Sequence, residues 1–184
     1  NTMHAEMLWV PGVSLCDGIV YEYTEKKGIA KQAHSFEDDI LACAQDIRKR
    51  YKGSRARSET IENIALKIFD ATKKLHGLGR RERLLLRISA ILHDCGKYIS
   101  MVNLADCSYD IIMATEIIGL SHTEREMVAN IVRYNHSPFD YEKKGVNDSF
   151  SPQTYLTVAK LTAIIRIANG LDRSHKQKFK DPQV

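Results

Sequence analysis

Apolar residues recur at helical spacing through most of the chain. In one segment, Ile40, Ala44 and Ile47 share a face that acidic residues precede and basic residues follow, as in an amphipathic helix. The segment near residues 81–95 is apolar on nearly all sides, which is typical of a helix in the middle of a bundle. The pattern predicts six helices, which cover about residues 35–53, 58–77, 81–95, 108–118, 121–135 and 151–171.

The first 28 residues follow a different pattern. Residues 7–10 and 18–23 are rich in β-branched and aromatic side chains, and Pro11 and Gly12 separate them, which predicts two short strands. The predicted fold is therefore mainly α, a bundle of about six helices with a short N-terminal β-strand appendage. A lone hairpin is marginal in water. Either the chain is cut from a longer protein whose last strands it retains, or the hairpin packs on the bundle.

Composition fits a globular protein. The chain has 184 residues, of which 43% are hydrophobic and 27% charged, and its net charge of +4 comes from the segment 151–184. This local excess is too small to indicate a nucleic-acid polymer as partner, but it is compatible with contact to a polyanion. The four cysteines form no CxxC pair, and no apolar run approaches the roughly 20 residues that span a bilayer. We therefore expect a cytoplasmic protein with no membrane partner.

A histidine and an aspartate stand side by side at the end of the most apolar helix. His93 and Asp94 offer one nitrogen and two oxygen donors to a divalent metal ion. Asp172 ends another apolar helix, so the three side chains converge if the two helices pack together. By itself the dipeptide is weak evidence, because an adjacent His and Asp also occur as a plain helix end.

Several motifs in order give the chain a family resemblance. The segments 68–70, 76–78 and 82–85 precede Leu92-His93-Asp94-Cys95-Gly96-Lys97, and the segments 108–112, 119–126 and 165–174 follow it. Together they resemble the C-terminal HD-type domain of the exopolyphosphatase/guanosine pentaphosphate phosphatase (Ppx/GppA) family. The resemblance covers residues 35–180 and implies an HD-domain-like helical bundle. Residues 1–28 resemble the closing strands of the preceding actin-like phosphatase domain.

The resemblance implies a hydrolase that cuts phosphoanhydride bonds in polyphosphate or guanosine pentaphosphate. In this family the actin-like half is expected to hold the hydrolytic site, so the helical domain alone is expected to be inactive. Its expected role is to bind or guide the anionic phosphate chain, or to support a homodimer.

HD phosphohydrolases also bind metal through a histidine on the preceding helix, and this chain departs from that pattern. No histidine lies between His34 and His76, and Arg57 stands about where the ligand is expected. Asp106 stands near the place of another family histidine. His93, Asp94 and Asp172 are therefore predicted to form a vestigial or weak metal site. No cofactor is expected in this chain, with Mg²⁺ or Mn²⁺ left open.

Basic side chains are the candidate contacts for a phosphate chain, because Lys and Arg pair with phosphate oxygens. The candidates are Arg48, Lys49, Arg57, Lys97, Arg133, Arg166 and Arg173. Two other functions stay open. One is a self-sufficient HD phosphohydrolase that acts on nucleotides or phosphomonoesters with Mn²⁺, Mg²⁺ or Fe. The other is a structural module that dimerises through its helices and binds no ligand.

Overall fold

The fold is described from a computed structural model. It describes residues 14–28, 35–139 and 150–172, and the chain divides into two units, residues 1–35 and 36–184. In the described residues every regular element is a helix: α1 (Leu15–Lys26), α2 (Phe36–Arg50), α3 (Arg55–Ala71), α4 (Lys73–His76), α5 (Arg80–Ile91), α6 (Leu104–Ala114), α7 (His122–His136) and α8 (Pro152–Leu171). A 3₁₀ helix, Cys95–Tyr98, follows α5.

The first unit contains α1, so the predicted strand at residues 18–23 is wrong. β-branched and aromatic side chains favour a strand only where a neighbouring strand satisfies its backbone. In the described residues no strand is available, and the helix satisfies those backbone groups internally. Leu15, Ile19 and Tyr23 recur every four residues along it and are exposed. The other predicted strand, residues 7–10, lies outside the described residues.

The second unit is the predicted helical bundle, with α5 at its centre. This helix packs against α2, α3, α7 and α8, while α6 packs on α7 and on the 3₁₀ helix. Its buried side chains come from nearly every side of the helix, as the apolar sequence predicts: Leu84, Leu85, Leu86, Ile88, Ala90 and Ile91. Because α5 is surrounded, the turn that follows it lies inside the protein.

Two predicted helix starts are confirmed, and one is displaced. Ser121 and Glu124 form the predicted capping box of α7, and Ser151 caps α8 ahead of Pro152. Helix α3 begins at Arg55 with Ser54 as its N-cap, whereas the sequence analysis places this start near Ser58. Two serines four residues apart both suit a cap, and the earlier one receives the backbone hydrogen bond here.

None of the helices in the described ranges has the length and apolar character that crossing a membrane requires.

Candidate functional site

The His93-Asp94 pair lies in the buried turn between α5 and the 3₁₀ helix. Leu92 is the C-cap of α5, and the chain then turns through His93 and Asp94 into Cys95–Tyr98. His93 is fully buried and Asp94 is 6% exposed. An apolar central helix that ends inside the bundle therefore carries two polar side chains away from water.

His93 is held as a neutral imidazole. Its Nδ1 lies 2.9 Å from the carbonyl oxygen of Ala90, and a carbonyl only accepts, so Nδ1 carries the proton. Burial lowers the pKa of His93 to about 4; Asp94 opposes this shift, and the positive charge of Arg57 adds to it. The second ring nitrogen, Nε2, has no hydrogen-bond partner and lies 3.7 Å from Oδ2 of Asp94.

Arg57, which is half-buried, lies near the same turn. It lies in the first turn of α3, and its Nη2 donates a hydrogen bond of 2.9 Å to Oδ1 of Asn169 in α8. Its charge acts on His93 and on His136, lowering the pKa of both. A permanent positive charge thus acts on His93 from the helix where HD phosphohydrolases place a histidine ligand.

The structure adds His136, which no sequence motif marks as part of the site. His136 is the last residue of α7, and its Nε2 lies 2.6 Å from the carbonyl oxygen of His93. Burial is the main cause that lowers the pKa of His136. The sequence signal was the polar pair Asn135-His136 at the end of an apolar helix, and Asn135 also lies 3.4 Å from Asn169.

The three predicted metal ligands do not form a ligand set. Helices α5 and α8 do pack together, and Asp172 is buried at the end of α8. Within the described ranges, however, no three His, Cys, Asp or Glu side chains lie close enough together to hold a metal ion. Asn169, one turn before Asp172, pairs instead with the guanidinium of Arg57. The residues present do not fit the divalent ion that HD phosphohydrolases bind.

The other predicted cations lie in different surroundings. Arg48 donates to the carbonyl oxygen of Gly53 at 3.1 Å, and Arg133 pairs with Asp106 at 2.7 Å. Asp106, for which the sequence predicts no definite role, is thus the ion-pair partner of Arg133. Exposed side chains are found at Lys49, Lys97 and Arg166, and Arg173 lies outside the described residues.

A cavity of about 230 Å³ opens beside Asp94, and we call it the α2–α3 pocket. Its lining consists of Tyr51, Lys52, Gly53, Ser54, Asp94, Lys97 and Tyr98. Lys52 adopts a left-handed backbone with φ of 52°, which is uncommon outside glycine. Its Nζ lies 5.5 Å from the centre of the Tyr98 ring, and that ring meets Tyr51 edge to face.

Asp94 and Lys97 are predicted site residues, and Tyr51 and Lys52 belong to a basic run that could also line the path of a polyanion, whereas Gly53, Ser54 and Tyr98 have no such signal. The pocket forms where the α2–α3 connection meets the turn after α5, some 40 residues away in the chain. The tyrosines carry no motif of their own.

The described residues of the second unit thus form a helical bundle whose central apolar helix is followed by a buried His-Asp turn. The model of the family Ppx/GppA phosphatase, domain III, matches residues 41–184. The chain therefore belongs to the Ppx/GppA phosphatase family, as the motif order predicts. A comparison with curated proteins gives no match to this chain.

Proposed function

We propose that the helical unit binds and guides the anionic phosphate chain that a hydrolase of this family cuts. The observation that carries this proposal is the α2–α3 pocket, where Lys52 and Lys97 line a cavity next to the start of α3. Within the described ranges neither lysine has a carboxylate partner within ion-pair distance. Two unpaired lysines at one cavity suit an anionic ligand.

The start of α3 adds to the positive potential of the pocket. Ser54 caps a helix of 17 residues whose first turn contains no acidic side chain. The first backbone N–H groups of a helix have no partners within it, and the helix dipole places partial positive charge there. Phosphate oxygens are suitable acceptors for such groups.

Metal-dependent hydrolysis is the less favoured function for this unit. A two-metal mechanism requires several ligands that clamp both the attacking and the leaving oxygen. Here the ring Nε2 of His136 is bound to the carbonyl oxygen of His93, and the positive charge of Arg57 acts on His93 and repels a cation. The cluster therefore suits a structural role beneath the pocket.

The test is binding of a fluorescently labelled linear polyphosphate to the full chain, followed by anisotropy over a range of salt concentrations. We expect binding that weakens with salt, because each phosphate contact releases a counterion. The double variant Lys52→Gln, Lys97→Gln removes two such contacts. Its affinity is expected to fall about tenfold or more, and its salt slope to decrease by about 1 to 2.

The matched control is Lys73→Gln, Lys74→Gln, which removes the same charge from exposed lysines just beyond the far end of α3. A helix of 17 residues is about 25 Å long, so these lysines lie away from the pocket. We expect this control to bind like the unaltered chain. No binding by the unaltered chain, or equal losses in both double variants, contradicts the proposal.

A further inference from the structure

The α2–α3 pocket contains a carboxylate as well as cations. Asp94 lines the pocket, its side chain is 7% exposed, and its Oδ1 has no hydrogen-bond partner. A buried carboxylate oxygen is costly to leave without a donor. A ligand that both carries negative charge and donates a hydrogen bond would suit the lysines and this oxygen together.

Gly53 leaves room for that contact. A Cβ built on Gly53 would lie 3.2 Å from Oδ1 of Asp94 and 2.8 Å from Cγ of Arg48. Gly53 and Asp94 both line the pocket, and the unpartnered Oδ1 lies on the side of Gly53 where a Cβ would stand. A larger residue at position 53 would crowd Oδ1 of Asp94 and the side chain of Arg48.

The chemistry of the ligand follows from the two kinds of group. An internal phosphate of a linear chain has one acidic oxygen, which is ionised, and it has no proton to donate. A terminal phosphate has a second acidic oxygen with a pKa of about 6. Near neutral pH it therefore carries a P–OH group part of the time. A protonated phosphate can thus accept hydrogen bonds from lysines and donate one to a carboxylate.

We infer that the α2–α3 pocket holds the terminal, protonated phosphate of a phosphate chain. Lys52, Lys97 and the start of α3 contact its charged oxygens, and Oδ1 of Asp94 accepts the hydrogen bond of its P–OH group. This inference rests on the proposed function and adds to it the part of the chain that is recognised. The carboxylate disfavours internal phosphates, which bring only negative charge to it.

Inorganic phosphate and sulfate separate this inference from plain charge attraction. At about pH 6 phosphate carries at least one proton, while sulfate carries none and has the greater negative charge. A pocket that responds to charge alone prefers sulfate. In calorimetric titrations of the full chain we expect phosphate to bind about tenfold or more tightly than sulfate, because sulfate leaves Asp94 without a donor.

Variants assign the preference to individual groups. Asp94→Asn can donate as well as accept, so we expect its preference for phosphate over sulfate to fall to within about twofold. The side chain of Lys97 is exposed, so Lys97→Gln is expected to fold normally. It should lower the affinity for phosphate and for sulfate to a similar extent and keep the preference for phosphate. This provides a test even if Asp94→Asn does not fold. Lys74→Gln serves as the control with no expected effect.

Linear tripolyphosphate distinguishes a chain end from free phosphate. We expect it to bind about tenfold more tightly than inorganic phosphate, because the following phosphates reach further cations. Equal affinity for phosphate and sulfate overturns the role of Asp94, and equal affinity for phosphate and tripolyphosphate overturns the chain end. Either result leaves the proposed function standing if labelled polyphosphate still binds. If the unaltered chain does not bind labelled polyphosphate, the proposed function itself is contradicted.

Discussion

Gly96 shows how closely the turn after α5 packs against α6. A Cβ at this position would lie 2.5 Å from the backbone nitrogen of Ser108 and 2.6 Å from the carbonyl oxygen of Leu104. The Gly96 backbone also donates to Oγ of Ser108 at 3.1 Å. The glycine thus fixes the 3₁₀ helix, and with it Asp94 and Lys97, against the start of α6.

Replacing Gly96 is therefore expected to be costly. Gly96→Ala forces two backbone segments apart, and we expect the free energy of unfolding to fall by about 3 kcal/mol or more. Gly170→Ala is the control, since nothing lies within 4 Å of its Cβ position and it is helical. That variant should be unchanged or stabilised by about 0.5 to 1 kcal/mol. Urea unfolding measures both, and similar stabilities would contradict the packing described.

The buried imidazole of His93 makes stability depend on pH. Its pKa in the folded protein is about 4, against an ordinary value of 6.5, so between these values the unfolded chain binds more protons. The free energy of unfolding should therefore fall as the pH falls from about 6.5 to about 4, by roughly 2 to 3 kcal/mol.

His93→Asn tests this origin because its amide can still donate to Ala90 while it does not titrate. We expect this variant to lose much less stability than the unaltered chain over the same pH range. The control His122→Asn alters an exposed histidine and should keep the full pH dependence. If the free energy of unfolding of His93→Asn depends on pH as in the unaltered chain, the loss of stability at low pH comes from other groups.

At the scale of elements, the sequence was most informative where a local signal decides the structure. The capping box at Ser121 and the Ser151-Pro152 start were predictable because each involves residues three or four apart. The strand at residues 18–23 was not, because strand formation depends on a pairing partner elsewhere. The His-Asp pair was visible in the sequence, whereas its neighbours Arg57, Asn169 and His136 meet only through tertiary packing.

The start of α7 joins the start of α5 through one ion pair. Arg81 contacts both carboxylate oxygens of Glu124, and its Nη2 also donates to the carbonyl oxygen of Gly119 at 2.7 Å. These hydrogen bonds, with those from Ser121, lower the pKa of Glu124 to about 2. The carboxylate thus caps one helix and anchors another.

Removing this ion pair should lower the free energy of unfolding by an amount that depends on pH. The folded pKa of Glu124 lies below its ordinary value of 4.5, so its contribution is present above about pH 4.5 and is lost as the pH falls toward about 2. We expect Arg81→Met to lower the free energy of unfolding by about 1 to 2 kcal/mol at pH 7, after allowance for partial exposure.

Arg55→Met is the matched control for Arg81→Met, because the pair of Arg55 with Glu59 is largely exposed. Chemical unfolding at pH 7 and at about pH 2.5 compares the two variants. The deficit of Arg81→Met should shrink at the lower pH, and Arg55→Met should match the unaltered chain at both. A deficit in Arg81→Met that does not depend on pH would contradict the role given to Glu124.

At the scale of the whole molecule, family membership could be predicted from motif order, since the Ppx/GppA domain III match covers residues 41–184. The α2–α3 pocket could not, because it joins two segments about 40 residues apart in the chain. The assignment of residues 1–28 to a preceding actin-like domain, and the homodimer, stay predictions. For the helical unit the decisive question is which cation accompanies His93 and Asp94.

Binding of Mn²⁺ to the full chain, followed by electron paramagnetic resonance, answers that question most directly. With the Arg57 guanidinium beside His93, we expect no stoichiometric binding at Mn²⁺ concentrations below about 1 mM, and no change in His93→Ala or Asp94→Ala. One or more Mn²⁺ ions per chain, lost in both of those variants, would contradict this and would make the helical unit a metal-dependent phosphohydrolase.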